Sequence, residues 1–260
     1  MRCAVVGHVE WCDFALVPRV PPAGEIVQGD PVLSIPAGGG AVVARQVAQL
    51  NGGRCEFFTA LGEDELGHRA VRELANLGLD VHAQHFGATR RGWVHVDANG
   101  ERTITVIGPK LLPQGPLPLE GYDLVFFVAG DTEALRSARA ARFLAGATRE
   151  LAQLREADVP MDLLVGSARD PGESYDGSVP AGVVAMTDGS GGGTANGERW
   201  VAAPLPAPVV DAYGCGDSFG AALAFGLARG DVLHDALELA ARAGASVLTG
   251  RGPYTSQIAS

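Results

Sequence analysis

The sequence has almost no lysine: among its 20 basic residues, Lys110 is the single lysine. Because the formal net charge is also −10, the chain offers no lysine-rich patch for a phosphate backbone, and we do not expect nucleic acid as a partner. No uninterrupted apolar run approaches the roughly 20 residues that a membrane span needs, and no signal-peptide pattern precedes the first apolar segment. We therefore expect a cytoplasmic protein that does not bind membranes.

Cysteine is scarce as well, and its spacing excludes two kinds of site. The four cysteines contain no Cys-x-x-Cys pair, which argues against a zinc site and against a disulfide framework. We expect reduced thiols at Cys3, Cys12, Cys55 and Cys215. The sequence also lacks the Gly-x-x-x-x-Gly-Lys-[Ser/Thr] pattern of a P-loop, and its glycine runs do not match a dinucleotide-binding fingerprint.

What the chain does have is a composition typical of a folded, turn-rich domain. Hydrophobic residues make up 47% and charged residues 19% of 260 residues, which excludes disorder. The 36 glycines and 16 prolines follow no Gly-x-y period, so they indicate tight turns rather than collagen. At this length we expect one domain, covering residues 1–260.

Short apolar runs alternate with helical stretches, a pattern typical of an α/β fold with a parallel sheet covered by helices on both faces. Between Glu63 and Leu77 the apolar residues recur at helical spacing, and Gly78 is placed to end that helix. The predicted strands of the main sheet are Ala4–Val6, Cys55–Thr59, Leu124–Val128, Leu163–Val165 and Val183–Met186.

Two segments depart from this alternation and predict a small second sheet. Gly92–Ala98 and Glu101–Ile107 are β-rich runs joined through Asn99-Gly100, a dipeptide that favours a type I′ hairpin turn. The stretch Phe14–Ile35 contains four prolines, which suit edge strands and turns. We expect residues of about 14–35 and 90–107 to form a β-sheet lid over the main domain.

The segment Val209–Gly220 is the most informative for chemistry. Small residues after Gly216 predict a buried helix that ends at Gly230, so the preceding turn lies at a helix N-terminus. Free N–H groups at such a turn attract anions, and glycines let the anionic group come close. Asp217, in the first helical turn, is a candidate base for a substrate hydroxyl. The alternative is a purely structural turn in which Asp217 caps the helix.

The residues around this turn carry a family resemblance. Asp-Ala-Tyr-Gly-Cys-Gly-Asp-Ser-Phe at 211–219 resembles the D-T-x-G-A-G-D-x-F signature of ribokinase-like (PfkB-type) carbohydrate kinases. Segments 38–50 and 57–67 resemble the family's amino-terminal signature, and Pro22-Ala23-Gly24-Glu25 resembles its turn into the lid. Thr187-Asp188-Gly189-Ser190-Gly191-Gly192 resembles its T-x-G-x-x-G nucleotide loop. The resemblance spans nearly the whole chain.

The resemblance implies a ribokinase-like fold, namely a mostly parallel sheet flanked by helices with a small β-sheet lid, and use of ATP with Mg²⁺. It places the catalytic base on Asp217 and an anion hole on the amides of Gly214, Cys215 and Gly216. The family's nucleotide-binding positions then fall on Thr187, Gly189, Gly192 and Gly252, its substrate-binding positions on Glu10, Asp13, Gly38 and Gly39, and its metal-binding positions on Asp170 and Asp211. Asp211 matches the position that helps bind a monovalent cation such as K⁺ in many relatives.

Three departures from the family pattern concern the substrate and the metal. Against the family's G-G-K-G-A-N, the lysine becomes Gly40 and the sugar-binding asparagine becomes Val43. Against its N-x-x-E, which organises water around magnesium, the chain has Ser167–Asp170. In the first-strand loop Cys12 stands where the family often has an aspartate, and Asp13 is displaced by one residue, which turns its side chain to the opposite face of a strand. Glu10 is therefore the preferred polar contact for the substrate.

These observations favour an ATP-dependent phosphotransferase, a sugar kinase that acts on a hydroxyl of a sugar or sugar-like small molecule. The alternatives are a nucleoside kinase, and a non-catalytic ligand-binding regulator that kept the fold. Aromatic residues total only 6%, which favours a sugar over a nucleoside. Pairing of two lids would cover their exposed strand edges, so a homodimer through the lid is also expected.

Overall fold

The computed structural model describes residues 1–259 and is built around a nine-stranded sheet. Its strands are β1 (Cys3–Val6), β4 (Glu56–Leu61), β5 (Asp80–His85), β8 (Leu124–Phe127), β9 (Phe143–Ala147), β10 (Met161–Ser167), β11 (Ala181–Thr187), β12 (Gly193–Ala195) and β13 (Glu198–Trp200). They lie in the order β13-β12-β11-β10-β9-β8-β1-β4-β5. Neighbouring strands from β11 to β5 are parallel, whereas β12 and β13 extend the β11 edge in antiparallel fashion.

Six α-helices cover the two faces of this sheet, four on one face and two on the other. They are α1 (Gly39–Leu50), α2 (Glu65–Asn76), α3 (Thr132–Ala138), α4 (Leu151–Ala157), α5 (Cys215–Arg229) and α6 (Leu233–Val247). Side chains of α1, α2, α5 and α6 share one buried cluster with Val5, while α3 and α4 share another with Ala4 and Val6. Strand β1 is therefore buried on both faces, as an internal strand of a parallel sheet must be.

The predicted α/β architecture is confirmed. Each of the five predicted strands overlaps an observed strand of the main sheet. The predicted helix before Gly78 is also confirmed as α2. The Asp64 side chain begins it by accepting the Gly67 N–H, and Gly78 adopts a left-handed φ of 86° two residues after it ends. No helix within residues 1–259 has the length and apolar character to cross a membrane.

A separate four-stranded sheet forms the lid and consists of β2 (Glu10–Leu16), β3 (Asp30–Ala37), β6 (Arg91–Val96) and β7 (Arg102–Ile107). The strands lie in the order β3-β2-β6-β7. Strands β2 and β6 pair in parallel, and the two outer pairs are antiparallel. One lid face, which we call the inner face, carries Cys12, Phe14, Val94 and Val96 and packs against Val42 and Tyr213.

The turn between β6 and β7 differs from the predicted type I′ hairpin. Only Gly100 has a left-handed φ, of 77°, whereas a type I′ turn requires positive φ at Asn99 as well. The Asp97 carboxylate instead accepts the N–H groups of Asn99 and Glu101, at 2.8 and 3.0 Å. This side-chain hydrogen bonding stabilises a longer turn, because aspartate competes effectively for nearby main-chain amides.

Candidate functional site

The site forms where the carboxyl end of β1 meets the first turns of α1 and α5. The chain passes from Val6 into Gly7 and His8, and Gly40 lies so close to this loop that an added Cβ would stand 2.6 Å from the His8 carbonyl oxygen. A Cβ added to Gly39 would stand 3.0 Å from Asp217 Oδ1. The two glycines therefore allow α1 to bring its N-terminus against both β1 and the Asp217 carboxylate.

Asp217 lies in the first turn of α5 and is partly buried. Burial raises the pKa of this carboxyl group from 3.8 to about 6, and the positive charges of Arg102 and Arg149 only partly oppose that rise. A carboxylate with a pKa of about 6 is ionised at neutral pH and is a stronger base than an exposed aspartate. These are the properties expected of a general base.

The amides of the turn that precedes Asp217 are free within residues 1–259. Gly214 has a left-handed φ of 83° and no side chain caps the helix there. The N–H groups of Gly214, Cys215 and Gly216 donate to no backbone or side-chain acceptor, and the first helical bond into this turn runs from Ser218 N–H to the Gly214 carbonyl. Such a turn has unpaired donors and the positive end of a helix dipole, which together favour an anion.

The neighbouring thiol is not set up for nucleophilic chemistry. Burial raises the pKa of Cys215, and Arg102 opposes this only in part. A thiol is reactive as a thiolate, so a raised pKa indicates an inert side chain. Cys215 therefore contributes its main-chain amide to the turn rather than its sulfur.

On the other side of the site, Glu10 and Arg90 form a buried ion pair, with 3.2 Å between Arg90 Nη1 and Glu10 Oε1. Burial raises the pKa of Glu10, and Arg90 partly offsets the rise. His8 lies next to this pair, and burial lowers its pKa to about 3, so its ring is neutral. His8 Nδ1 is buried without a hydrogen-bond partner among residues 1–259. The site residues predicted from the sequence include neither His8 nor Arg90.

Asp13 and Glu10 lie on opposite faces of β2. The Asp13 carboxylate accepts hydrogen bonds from Ser34 Oγ and from Arg91 Nη2, at 2.6 and 2.7 Å, on the outer face of the lid. No bulge falls between Glu10 and Asp13, since the register of β2 shifts only after Phe14. The structure therefore does not bring Asp13 together with Glu10, and the predicted substrate contact of Asp13 is not supported by its geometry.

The structure also corrects the alignment of the α1 residues with the family pattern by one position. A side chain at 40 would collide with the His8 carbonyl, so Gly40 is not the place of the family's lysine. Val43 packs in the main hydrophobic cluster, whereas Val42 packs under the lid and contacts Gly214. The site-facing positions are therefore Gly39 and Val42, because residues three apart on a helix share a face.

Gly38 begins α1 with a left-handed φ of 93° and has no capping side chain. Its N–H donates to the Tyr213 hydroxyl at 2.9 Å, and Tyr213 Oη also lies 3.7 Å from Cys12 Sγ. Tyr213 is buried and belongs to the segment that leads into the turn of Gly214. This tyrosine thus joins the start of α1, the lid strand β2 and the turn.

Asp170, predicted at the metal site, is held by a guanidinium. The side chain of Arg149 pairs with Asp170 and also with Glu173, at 2.7 Å from Nη2 to Glu173 Oε1. A hydrogen bond from the Gly172 N–H, followed by the Arg149 contact, lowers the pKa of Asp170. The two carboxylates lie close together because one Arg149 nitrogen bonds both. The sequence pattern Ser167–Asp170 pointed to the first carboxylate and missed Glu173 and Arg149.

Asp211 and Gly252 are joined by a hydrogen bond beneath the turn of Gly214–Gly216. Asp211 Oδ1 accepts the Tyr213 N–H at 2.8 Å, and Oδ2 accepts the Gly252 N–H at 3.0 Å. Gly252 is buried, and a Cβ added to it would stand 2.4 Å from Leu33 Cδ1 of the lid. Both residues therefore stabilise the segment before α5. The predicted contacts of Asp211 with a cation and of Gly252 with adenine stay predictions.

The predicted nucleotide loop follows β11 and begins at Thr187, whose hydroxyl donates to the Gly166 carbonyl. Gly189 and Gly192 have left-handed φ angles of 55° and 80°. Arg169 packs on Gly189 and bonds Asp188 at 2.9 Å, which places the loop beside the segment after β10. At its far end Trp200 packs on Gly193 and stacks on Phe219 of α5, with 4.8 Å between ring centroids.

A comparison with protein families agrees with this geometry. The profile of the pfkB family of carbohydrate kinases matches residues 2–140 and 138–259, nearly the whole chain. The chain belongs to the pfkB family. The ribokinase-like resemblance of the signature at 211–219 is thereby confirmed.

The individual proteins that the chain resembles share less than 30% of its residues over the matched regions. A ribokinase of Dictyostelium discoideum is 29% identical over 107 residues, which cover 40% of this chain and 33% of that protein. A ribokinase structure from Cryptococcus neoformans var. grubii serotype A in complex with ADP has a TM-score of 0.76 at 22% identity, over 99% of this chain and 96% of that one. A nucleoside kinase from Methanocaldococcus jannaschii has a TM-score of 0.76 at 17% identity, over 100% and 95%. These structures share the ribokinase fold with the chain.

Proposed function

We propose that the protein transfers the terminal phosphoryl group of ATP to a hydroxyl of a sugar or sugar-like small molecule. The observation that carries this proposal is the placement of an ionisable carboxylate, Asp217, directly after three free main-chain amides at the start of α5. Family membership supports phosphoryl transfer, and the ADP bound to the Cryptococcus ribokinase supports a nucleotide as donor.

In the proposed reaction Asp217 accepts the proton of the acceptor hydroxyl as the oxygen attacks the phosphoryl group. Phosphoryl transfer depends mainly on positioning and on stabilising spread negative charge. The amides of Gly214, Cys215 and Gly216 supply fixed donors for that charge at the N-terminus of a helix. Because Gly39 lacks a Cβ, no side chain of α1 crowds the Asp217 carboxylate, from which an added Cβ would stand only 3.0 Å.

The acceptor would bind between Asp217 and the group formed by His8, Glu10 and Arg90. Glu10 accepts hydrogen bonds from hydroxyl groups, and the neutral His8 ring has a buried nitrogen without a partner. A sugar hydroxyl can donate to the Glu10 carboxylate and can donate to, or accept from, a nitrogen of a neutral imidazole. This favours a sugar, although the fold shared with a nucleoside kinase keeps nucleosides among the acceptors to be tested.

The residues present fit a magnesium ion. Asp170 and Glu173 offer carboxylate oxygens, the donors that Mg²⁺ prefers and usually reaches through water. Arg149 pairs with both carboxylates, so the ion would share them with this guanidinium. Bound there, Mg²⁺ would neutralise phosphate charge.

The loop of Thr187, Gly189 and Gly192 is the proposed contact for the nucleotide. A monovalent cation such as K⁺ near Asp211 is also part of the proposal.

We further propose that the chain is a single domain whose lid closes over the acceptor and pairs with a second lid. Strand β7 is an edge strand and exposes Ile104, Val106 and Ile107 at 39, 43 and 51%. Exposed apolar residues on an unpaired edge favour burial against a second copy. A homodimer through the lid would provide that cover.

The proposal is tested by measuring ADP formation with ATP and Mg²⁺ over a panel of sugars, sugar alcohols and nucleosides. We expect acceptor-dependent ADP formation with at least one polyhydroxy compound and a phosphorylated product by mass spectrometry. Turnover with nucleosides alone would favour the nucleoside kinase. Binding of acceptors and nucleotide without turnover across the panel would contradict the proposal and favour a regulator.

A further inference from the structure

We propose that Glu56, Asp80 and His82, at one edge of the main sheet, form a binding site for a divalent transition-metal ion such as Zn²⁺. One ligand atom of each side chain, a carboxylate oxygen or an imidazole nitrogen, lies within 4.8 Å of the other two. The three residues belong to β4 and β5, and none of them is part of the site around Asp217. The inference therefore does not rest on the proposed function.

The strand register brings the three side chains together. Strands β4 and β5 pair in parallel, with Glu56 beside Asp80 and Phe58 beside His82. Side chains two residues apart on a strand project from the same face, so all four side chains share one face of the sheet. Strand β5 is the last strand of the sheet, and both Asp80 and His82 are exposed there. A metal ion can therefore reach the cluster from solvent.

The imidazole of His82 is held by an aromatic neighbour. Its ring stacks on buried Phe58, with 4.6 Å between the ring centroids and 12° between the ring planes. In this orientation His82 Nε2 lies 3.2 Å from Glu56 Oε2 and 3.8 Å from Asp80 Oδ2. The nitrogen that would bind the metal thus already faces both carboxylates. A ligand that is held in its binding orientation loses less conformational entropy on binding, which favours affinity.

The Glu56 carboxylate is fixed from its other side. Arg2 Nε lies 3.4 Å from Glu56 Oε1, whereas Oε2 is the oxygen that faces His82. Burial acts to raise the pKa of Glu56, but hydrogen bonding to Tyr122 and the charge of Arg2 lower the pKa overall. The carboxylate is therefore ionised at neutral pH, as a metal ligand must be. Metal-binding side chains are often hydrogen-bonded in this way to neighbours outside the ligand set.

The ligand types favour a transition metal over Mg²⁺ or Ca²⁺. Those two ions take oxygen ligands, whereas an imidazole nitrogen combined with carboxylate oxygens suits Zn²⁺. Zinc bonds of about 2.0–2.2 Å at tetrahedral angles bring ligand atoms to about 3.3 Å from one another. His82 Nε2 and Glu56 Oε2 already have about that separation, and the Asp80 side chain, 73% exposed, can rotate to close the remaining gap. A water molecule would complete the four ligands.

The test measures the affinity of the metal-free protein for Zn²⁺ by competition with a chromophoric zinc chelator, in excess Mg²⁺ to occupy the proposed magnesium site. We expect His82→Gln and Asp80→Asn each to weaken Zn²⁺ binding by about tenfold or more, because even residues that only support a metal ligand typically contribute about 10- to 100-fold. His234→Gln is the matched control. It removes an exposed histidine that pairs with Glu238 on α6, and it should change the affinity by less than about twofold.

Thermal unfolding gives a second readout, because an ion that binds only the folded state stabilises it. Zn²⁺ should raise the unfolding temperature of the wild-type protein more than that of Asp80→Asn, whose exposed side chain is not needed for folding. Two results would overturn the assignment. Wild-type binding of Zn²⁺ no tighter than about 1 mM would leave the cluster as a group of ordinary surface ion pairs. Equal affinities of the wild-type protein, Asp80→Asn and His82→Gln would show that Zn²⁺ binds elsewhere.

Discussion

At the scale of single residues, the proposed phosphoryl transfer depends on the ionisation of Asp217. Burial is the largest influence on its pKa and raises it. The nearby carboxylates of Glu173 and Glu10 raise the pKa further, and the cations Arg102 and Arg149 lower it. The pKa of Asp217 is therefore about two units above that of an exposed aspartate but still below neutral pH, so the group is ionised at pH 7. That range suits a group that must take a proton from a hydroxyl and later release it.

This ionisation predicts the pH dependence of turnover. The proposed base must be deprotonated to work, so kcat/KM for the acceptor should fall as the pH drops through about 6, the raised pKa of Asp217 in the free protein. At pH 5 kcat/KM should be roughly a tenth of its plateau value. Steady-state rates between pH 4.5 and 8 at acceptor concentrations well below KM measure this. An acid limb with its midpoint near 4 would show that Asp217 is not in the environment described here.

At the scale of secondary-structure elements, the site depends on how the lid, α1 and α5 are joined. Tyr213 connects two of these elements. It lies just before α5, and its buried hydroxyl accepts a hydrogen bond from the Gly38 N–H at the start of α1. Gly39 follows immediately and lies against the Asp217 carboxylate. The hydrogen bond thus fixes the helix end that borders Asp217, the proposed base.

Removing this hydroxyl should destabilise the protein. Tyr213→Phe leaves the Gly38 N–H buried without a partner, which costs about 1–3 kcal/mol in the free energy of unfolding. Urea denaturation measures the difference. Tyr254→Phe is the matched control: it loses a hydrogen bond to the Pro36 carbonyl but orphans no buried N–H, so we expect a smaller loss. Equal losses in the two variants would contradict the role given to Tyr213.

The elements themselves could largely be predicted from the sequence. Apolar runs and helical spacing predicted the parallel sheet and α2, because these patterns reflect local burial. The α5 turn was predictable from Gly214, Gly216 and Asp217, since free amides follow from any helix start. The type I′ turn was wrong because the Asp97 side chain, not the Asn-Gly dipeptide, determines the backbone there.

Contacts between distant segments could not be predicted. The pairing of Arg149 with Asp170 and Glu173 joins residues that are more than 20 apart in sequence. The burial of Glu10 against Arg90 depends on the parallel pairing of β2 with β6. The alignment of α1 was wrong by one residue because the sequence does not reveal that Gly40, rather than Gly39, faces the His8 carbonyl.

At the scale of the whole molecule, the ionised carboxylate of Asp217 lowers the free energy of unfolding. A carboxyl group with a raised pKa binds its proton more tightly in the folded state than in the unfolded state. Its contribution to stability is therefore full below about pH 4 and is lost as the pH rises through about 6. Above that pH the folded protein holds a partly buried charge without a paired cation.

Asp217→Asn should therefore stabilise the fold above pH 6. The shift of about two pKa units corresponds to roughly 1–2 kcal/mol once partial exposure is allowed for. Unfolding free energies of both proteins at pH 4 and pH 8 test this, and the gain should disappear at pH 4. The effect of His8, whose pKa burial lowers to about 3, is common to both proteins and cancels in the difference. Asp217→Asn being less stable at pH 8 would contradict the burial argument.

The central claim is that Asp217 is the base of a phosphotransferase whose nucleotide site does not depend on it. The most direct measurement is the turnover of Asp217→Asn beside the wild-type protein with the best acceptor of the panel, together with the affinity for AMP-PNP. The account predicts that turnover falls by about 10² to 10⁴ while AMP-PNP affinity stays within about threefold. Turnover close to that of the wild-type protein would contradict it.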